Sequence, residues 1–190
     1  TDRLTALVDN ILGPNEKPDF KYQNIHYPIE NVLSLVENEE DYKNITIIKD
    51  FDPSIPDLFI DSYLIENGIL NLTKNAKDAL LDSKTSSPII RIVTRISHGE
   101  IIDGERNSTV CKISVIDNGP GIKEEIKESI FFPMITGKDK GTGLGLSITQ
   151  GIISQHKGNI HFSSEPNRTE FFINIPITNN KELDLKTANG

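Results

Sequence analysis

Apolar residues in TDRLTALVDNIL (1–12) fall at Leu4, Leu7, Val8 and Ile11, the spacing of an amphipathic helix, and Gly13-Pro14 ends it. A helix this short is marginal alone, so the pattern predicts that it continues upstream. A Pro-punctuated link follows, then a strand-like stretch near Tyr22–His26 and a second helix from Pro28 to about Glu37. Ile45–Phe51 reads as a strand with DPSIPD as its exit loop. Ser62–Leu81 carries Ile65, Ile69, Leu72, Ala76 and Ala79 at a helical period, which predicts a long helix with one face against a sheet. Ile89–Ile102 and Thr109–Asp117 are β-rich runs around Asp103-Gly104 and predict a hairpin. Residues 118–142 read as a long loop, Leu144–His156 as a further helix, and Gly158–Ser164 with Thr169–Pro176 as a last hairpin. Helices and strands mixed in this way predict an α+β class, a two-layer sandwich of helices over a mixed, mostly antiparallel sheet.

Composition narrows the picture. The 190 residues suffice for one domain with a proper core. A net charge of −8 argues against nucleic acid, whose binding rests on Lys and Arg neutralising phosphates. No apolar run approaches the ~20 residues of a membrane span, so no membrane contact is expected. Cys111 is the only cysteine, which excludes an intrachain disulfide and makes a reducing, cytoplasmic compartment the expectation. The chain begins at Thr1 and its only methionine is Met134, as expected of a fragment of something longer.

Three stretches carry candidate chemistry. In GTGLGLSITQ (141–150) glycines alternate just before a helix. The dinucleotide fingerprint would need glycine where Leu146 stands, and no glycine here has Lys-Ser/Thr at a Walker A offset. What remains is a Gly-rich turn into a helix N-terminus, where backbone N–H groups suit an anion such as phosphate. In SVIDNGPGI (114–122) a strand ends on Asp117 and turns through Asn118-Gly119-Pro120-Gly121. This is either an ordinary tight turn or a carboxylate placed to accept an adenine N–H, with glycines letting the base approach. In NLTKNAKDAL (71–80), Asn71, Asn75 and Asp78 share one stripe of a helix. Asn is a poor mid-helix residue, and its amide oxygen can ligate Mg²⁺; the alternative is a solvated helix face.

Taken in order, these pieces resemble the ATP-binding domain of sensor histidine kinases, in the superfamily that also holds gyrase, Hsp90 and MutL. NLTKNAKDAL is similar to the N box, IDNGPGI to the G1 box, SIFFPMITGK to the F box with its lid, and GTGLGLS to the G2 box. RTEFFINIP is similar to the closing strand whose threonine faces adenine. NIHYPIENVLSL, KDFDPSIPDLFID and the short lid resemble more narrowly the nitrogen-regulation kinases of the NtrB type. The resemblance implies the Bergerat-type ATP fold over residues 14–178, with 1–13 the end of a second dimerisation helix and 179–190 a flexible tail. Its cofactors would be ATP and Mg²⁺. Asn75 would ligate Mg²⁺, with Asn71, Lys74 and Asp78 near the phosphates. Asp117 would recognise adenine, helped by Gly119, Gly121 and Thr169, between Ile122 and Leu146. Thr136 and Lys138 on the lid, hinged at Gly141, would reach the nucleotide, and Thr142, Gly143, Leu144 and Gly145 would offer amides to phosphate. Phe131 and Phe132 would anchor the lid.

Hydrolysing relatives carry Glu at the position of Asn71, so Asn71 predicts weak hydrolysis, as a kinase requires. None of the four histidines fits an acceptor. His26 reads as a strand end, His98 as hairpin and His161 as strand, while His156 closes a helix whose C-terminus suits positive charge. The acceptor is therefore expected on a separate dimerisation domain, and the resemblance implies an NtrC-type response regulator and a PII-type signal protein as further partners.

Overall fold

Alternate residues of the strands point the same way, and that alternation builds the core. In the computed structural model, which describes residues 17–102, 104–106, 109–135 and 143–178, strands β2 (Thr46–Asp50), β4 (Ile89–His98), β7 (Thr109–Asp117), β9 (Arg168–Pro176) and β8 (Asn159–Glu165) form one sheet in that order. β2 pairs parallel with β4, and the other pairs are antiparallel. Ile90 and Ile92 of β4, Cys111, Ile113 and Val115 of β7, and Phe171, Ile173 and Ile175 of β9 are buried together. Against them lie α1 (His26–Val36), α2 (Ser62–Asp82) and α4 (Gly145–Gln155), each contributing one apolar face. This is the α+β sandwich with a mixed, mostly antiparallel sheet that the sequence predicts. Cys111 is fully buried, and burial pushes its thiol up to about 12. No helix among the described residues is long and apolar enough to cross a membrane.

Several elements differ from the sequence reading. The strand expected near Tyr22–His26 is only β1 (Lys21–Gln23), and α1 opens at His26 rather than at Pro28. Pro28 fits the first turn, where its missing N–H would have had no helical partner. β1 pairs antiparallel with β3 (Leu58–Ile60), which lies between the expected exit loop and helix and was given no element in the sequence reading. The hairpin of β4 and β7 is present and carries a two-stranded extension, β5 (Ile101–Ile102) with β6 (Glu105–Arg106). The long loop after Asp117 contains a single helical turn, α3 (Glu124–Lys127).

His156 is the clearest correction. Its Nε2 accepts the Asp61 N–H at 3.1 Å and its Nδ1 donates to Ile152 O at 2.8 Å, so the ring is the neutral tautomer. Burial lowers its pKa, so His156 itself brings no positive charge to this helix end. Asp61 caps α2 by accepting the Leu64 N–H at 3.0 Å, and its other oxygen accepts the Asp19 N–H at 2.6 Å. His156 and Asp61 thus fasten the end of α4 to the start of α2. The segments 1–13 and 179–190 of the expected domain division lie wholly outside the described residues.

Candidate nucleotide site

The register of the sheet puts three polar residues side by side at one end of its helix-facing side. Asp117 stands opposite Thr169, and Thr169 opposite Ser164. Asp117 and Thr169 are 5% and 4% exposed, depths at which a polar group needs partners. Asp117 Oδ1 accepts the Gly119 N–H at 2.8 Å. Thr169 Oγ1 lies 3.1 Å from Ser164 Oγ, which accepts the Ile122 N–H at 2.8 Å. The loop after β7 is therefore tied to Ser164 of β8 and, through it, to Thr169 of β9.

Glycines are required here for two separate reasons. A Cβ on Gly119 would stand 2.7 Å from Asp117 Oδ1. Gly121 has φ +90°, and a Cβ there would meet Glu165 O at 3.0 Å. Asn118, read in the sequence only as a turn residue, pins the loop to β4: its Oδ1 accepts the Ile89 N–H at 2.7 Å, and its Nδ2 donates to Ser87 O at 3.0 Å.

α2 supplies the facing wall. Its buried stripe, including Ile65, Ile69, Leu72 and Ala76, points into the core, which turns Asn71, Lys74, Asn75 and Asp78 toward a cavity of about 560 Å³. The same cavity is lined by Asp117, Gly121, Ile122, Gly143, Gly145, Leu146 and Thr169. This size suits a nucleotide-sized ligand, for which ~300–1,000 Å³ is usual.

Gly119 and Leu144 do not line it. Gly119 stands behind Asp117 and holds its carboxylate, and Leu144 is the N-cap residue of α4, with its carbonyl accepting from Ile148 N and Ser147 Oγ. Thr136, Lys138, Gly141 and Thr142 lie outside the described residues. The sequence reading missed Phe171, Ile126, Ile130 and Lys123, which also line the cavity. The β period of RTEFFINIP does place Phe171 on the same side as Thr169, and that was the available signal.

The two glycines opening α4 serve different ends. Gly143 has φ +67°, and a Cβ there would overlap the Met134–Ile135 backbone at 2.6–2.8 Å. Gly143 O accepts the Met134 N–H at 3.0 Å, a bond that joins the two sides of the cavity mouth through described residues. The protein itself accounts for that glycine. A Cβ on Gly145 would make only ordinary contact, 3.8 Å from Asn71 Cγ, so no neighbour in the chain demands its absence. What a side chain there would occupy is cavity, beside a helix start that no side chain caps. Phe131 packs on Phe162 and Phe171 at ring separations of 6.0 and 6.5 Å, whereas Phe132 is 63% exposed.

Among the described residues no group of three or more His, Cys, Asp or Glu is placed to hold a metal ion. The donor set fits a cation that takes an amide oxygen and shares phosphate oxygens and waters, the coordination Mg²⁺ favours. None of the histidines stands in the cavity wall. His26, expected at a strand end, opens α1 and meets Thr94 Oγ1 at 2.9 Å. His98 ends β4, and His161 lies in β8 against Phe172.

Residues 60–179 match the family described as histidine kinase-, DNA gyrase B- and HSP90-like ATPase. The chain is 44% identical over 177 residues to the sensory histidine kinase/phosphatase NtrB of Vibrio alginolyticus, covering 93% of this chain and 49% of that protein. It is 34% identical over 185 residues to NtrB of Rhodobacter capsulatus, covering 93% and 50%. The chain thus spans about half the length of the curated relatives it matches. Among solved structures it is similar to the nucleotide-free catalytic domain of histidine kinase ThkA, with TM-score 0.67, 30% identity, and 83% and 95% of the two chains covered. ThkA in complex with the response regulator protein TrrA matches with TM-score 0.65 and 28% identity, over 93% of this chain and 48% of that one. With the site and the comparisons pointing the same way, the chain belongs to the histidine kinase-, DNA gyrase B- and HSP90-like ATPases, and among them to the catalytic domains of histidine kinases.

Proposed function

We propose that this chain is the ATP-loading domain of an NtrB-type sensor kinase, which binds Mg-ATP and donates the γ-phosphoryl group to a histidine of a dimerisation domain. One observation carries the reading: a single cavity joins Asp117 and Thr169 at its sheet end to Asn71, Asn75 and Gly145 at its helix end. Asp117 would accept the exocyclic N–H of adenine, with Thr169 beside it and Ile122 and Leu146 against the base. Asn75 would ligate Mg²⁺, whose charge would offset that of the phosphates. Lys74 and the amides opening α4 would hold phosphate oxygens; charge-assisted bonds of this kind are worth roughly 1.5–3 kcal/mol each. Asn71 has no proton-accepting carboxylate, which would leave the γ-phosphate waiting for a protein nucleophile instead of water.

His156 is buried and His26 is engaged by Thr94, which supports an acceptor outside this domain. From that histidine the phosphoryl group would pass to an aspartate of an NtrC-type regulator, with a PII-type protein as the upstream signal and the cytoplasm as the compartment. The test is incubation with γ-labelled ATP and a separately supplied NtrB-type dimerisation domain. Acid-labile label on that domain, with slow release of inorganic phosphate, is the expected result. Rapid hydrolysis without transfer would make the chain an ATPase of the MutL or Hsp90 kind, and tight binding with neither would make it a nucleotide-sensing scaffold.

A further inference from the structure

Ser164 does not line the cavity, yet its hydroxyl meets two residues that do. Its Oγ accepts the Ile122 N–H at 2.8 Å and lies 3.1 Å from Thr169 Oγ1. Two further contacts fix its place near the end of β8. Its carbonyl accepts from Lys127 Nζ at 3.3 Å, and a Cβ on Gly121 would stand 3.4 Å from its Oγ. A serine hydroxyl has a single hydrogen to donate. With the Ile122 N–H already received, that hydrogen still needs an acceptor, and among the described residues the one in reach is Thr169 Oγ1. The bond between the two hydroxyls therefore runs from Ser164 to Thr169. Thr169 is buried and keeps its own hydrogen, which the cavity it lines can use.

We propose that Ser164 is a positioning residue for base selection: by donating to Thr169 it makes the Thr169 hydroxyl a donor toward the cavity, next to the acceptor carboxylate of Asp117. The inference rests on the nucleotide reading of the cavity, with the base at the sheet end. Adenine presents an amino donor and, beside it, the N1 acceptor, which together complement that pair. A base with a carbonyl and an N–H at those two places would set acceptor against acceptor and donor against donor, leaving buried groups unpaired. Ser164 in this way selects the base without touching it.

The test removes one atom from the ligand and one hydroxyl from the protein. ADP and 1-deaza-ADP, which carries C–H in place of N1, are titrated calorimetrically into the full chain with Mg²⁺ present. The unaltered chain prefers ADP by about 5–10-fold, the worth of one hydrogen bond. Ser164→Ala brings that preference to within about 2-fold, because the Thr169 hydroxyl is no longer oriented. Ser164→Thr keeps the preference. Ser164→Val, which has the shape of threonine without the hydroxyl, loses it, and it gives the reading should the alanine variant fold poorly. A loosened 118–122 loop would weaken both nucleotides by one factor and leave their ratio alone. An unchanged ratio in the alanine and valine variants therefore overturns the proposal and leaves Ser164 a brace. Equal affinity of the unaltered chain for the two nucleotides overturns it as well. Failure of the unaltered chain to bind either nucleotide would instead remove the nucleotide reading itself.

Discussion

Asp117 shows how one residue can serve a turn and a ligand together. Its Oδ1 takes the Gly119 N–H, as an Asx turn requires, and the whole residue sits at the cavity end of the sheet. An asparagine can keep the turn bond through its own Oδ1, but it replaces half of the carboxylate with an amide donor. Asp117→Asn should therefore lose at least about 10-fold in ADP affinity, the equivalent of one charge-assisted bond, with a thermal midpoint moved by no more than about 2 °C. Calorimetric titration and a melting curve on the same sample decide it; a lowered midpoint with intact affinity would reduce Asp117 to a turn residue. The glycine loop was legible only in part at this scale. That glycines cluster before a helix was plain, but Gly143 and Gly145 look alike in sequence. Only the 2.6–2.8 Å crowding by Met134 and Ile135 shows that Gly143 is set by the protein's own backbone.

Long periodic elements were readable because their own side chains dictate them: α2, β7 and β9 lie within a residue or two of their sequence-predicted limits. β3 was not, since Leu58–Ile60 acquires strand form only through β1, far away in sequence. His156 was misread for a related reason: its neutrality depends on Asp61, a contact across two helix ends that no local window contains. Burial holds the pKa of both His156 and His26 below the ordinary 6.5. The unfolded chain therefore takes up protons first as the pH falls. The stability contribution is full above about 6.5 and declines as the pH drops through that value toward the native pKa values. His156→Phe should flatten this part of the melting-temperature profile between pH 7 and 5.5. It also strands the Asp61 N–H, at about 1–3 kcal/mol, and each kcal/mol lowers the midpoint by roughly 2–4 °C at this chain length. An unchanged pH slope would show that His156 is not the group responsible.

For the whole molecule, the cavity is walled by the sheet end, α2 and the start of α4, so a nucleotide held there would touch both layers of the fold. A ligand that binds only the folded state stabilises it by about 2.7 kcal/mol at one hundred times its dissociation constant. ATP with Mg²⁺ should then raise the melting midpoint by roughly 5–10 °C. EDTA should remove most of that gain, while the smaller shift given by adenosine should survive the chelator. Equal shifts for ATP with and without EDTA would rule out a metal-dependent phosphate site. The sheet-over-helix architecture was legible because strands such as β4 and β9 declare their buried side by alternation. The cavity was legible only through motif resemblance, since no local property of Asn75 or Asp117 announces that the other is near.

Cys111 has a practical consequence. It is the only cysteine in the chain, it lies at the centre of the sheet, and burial keeps its thiol protonated far above neutral pH. The thiolate is the species that maleimides and spin labels attack, so the unaltered protein is close to silent toward them. A single cysteine placed at Met134, which is 78% exposed beside the mouth of the cavity, would carry the only reporter in the molecule. Ligand-driven movement next to Gly143 could then be followed by fluorescence or electron resonance without first removing a native residue.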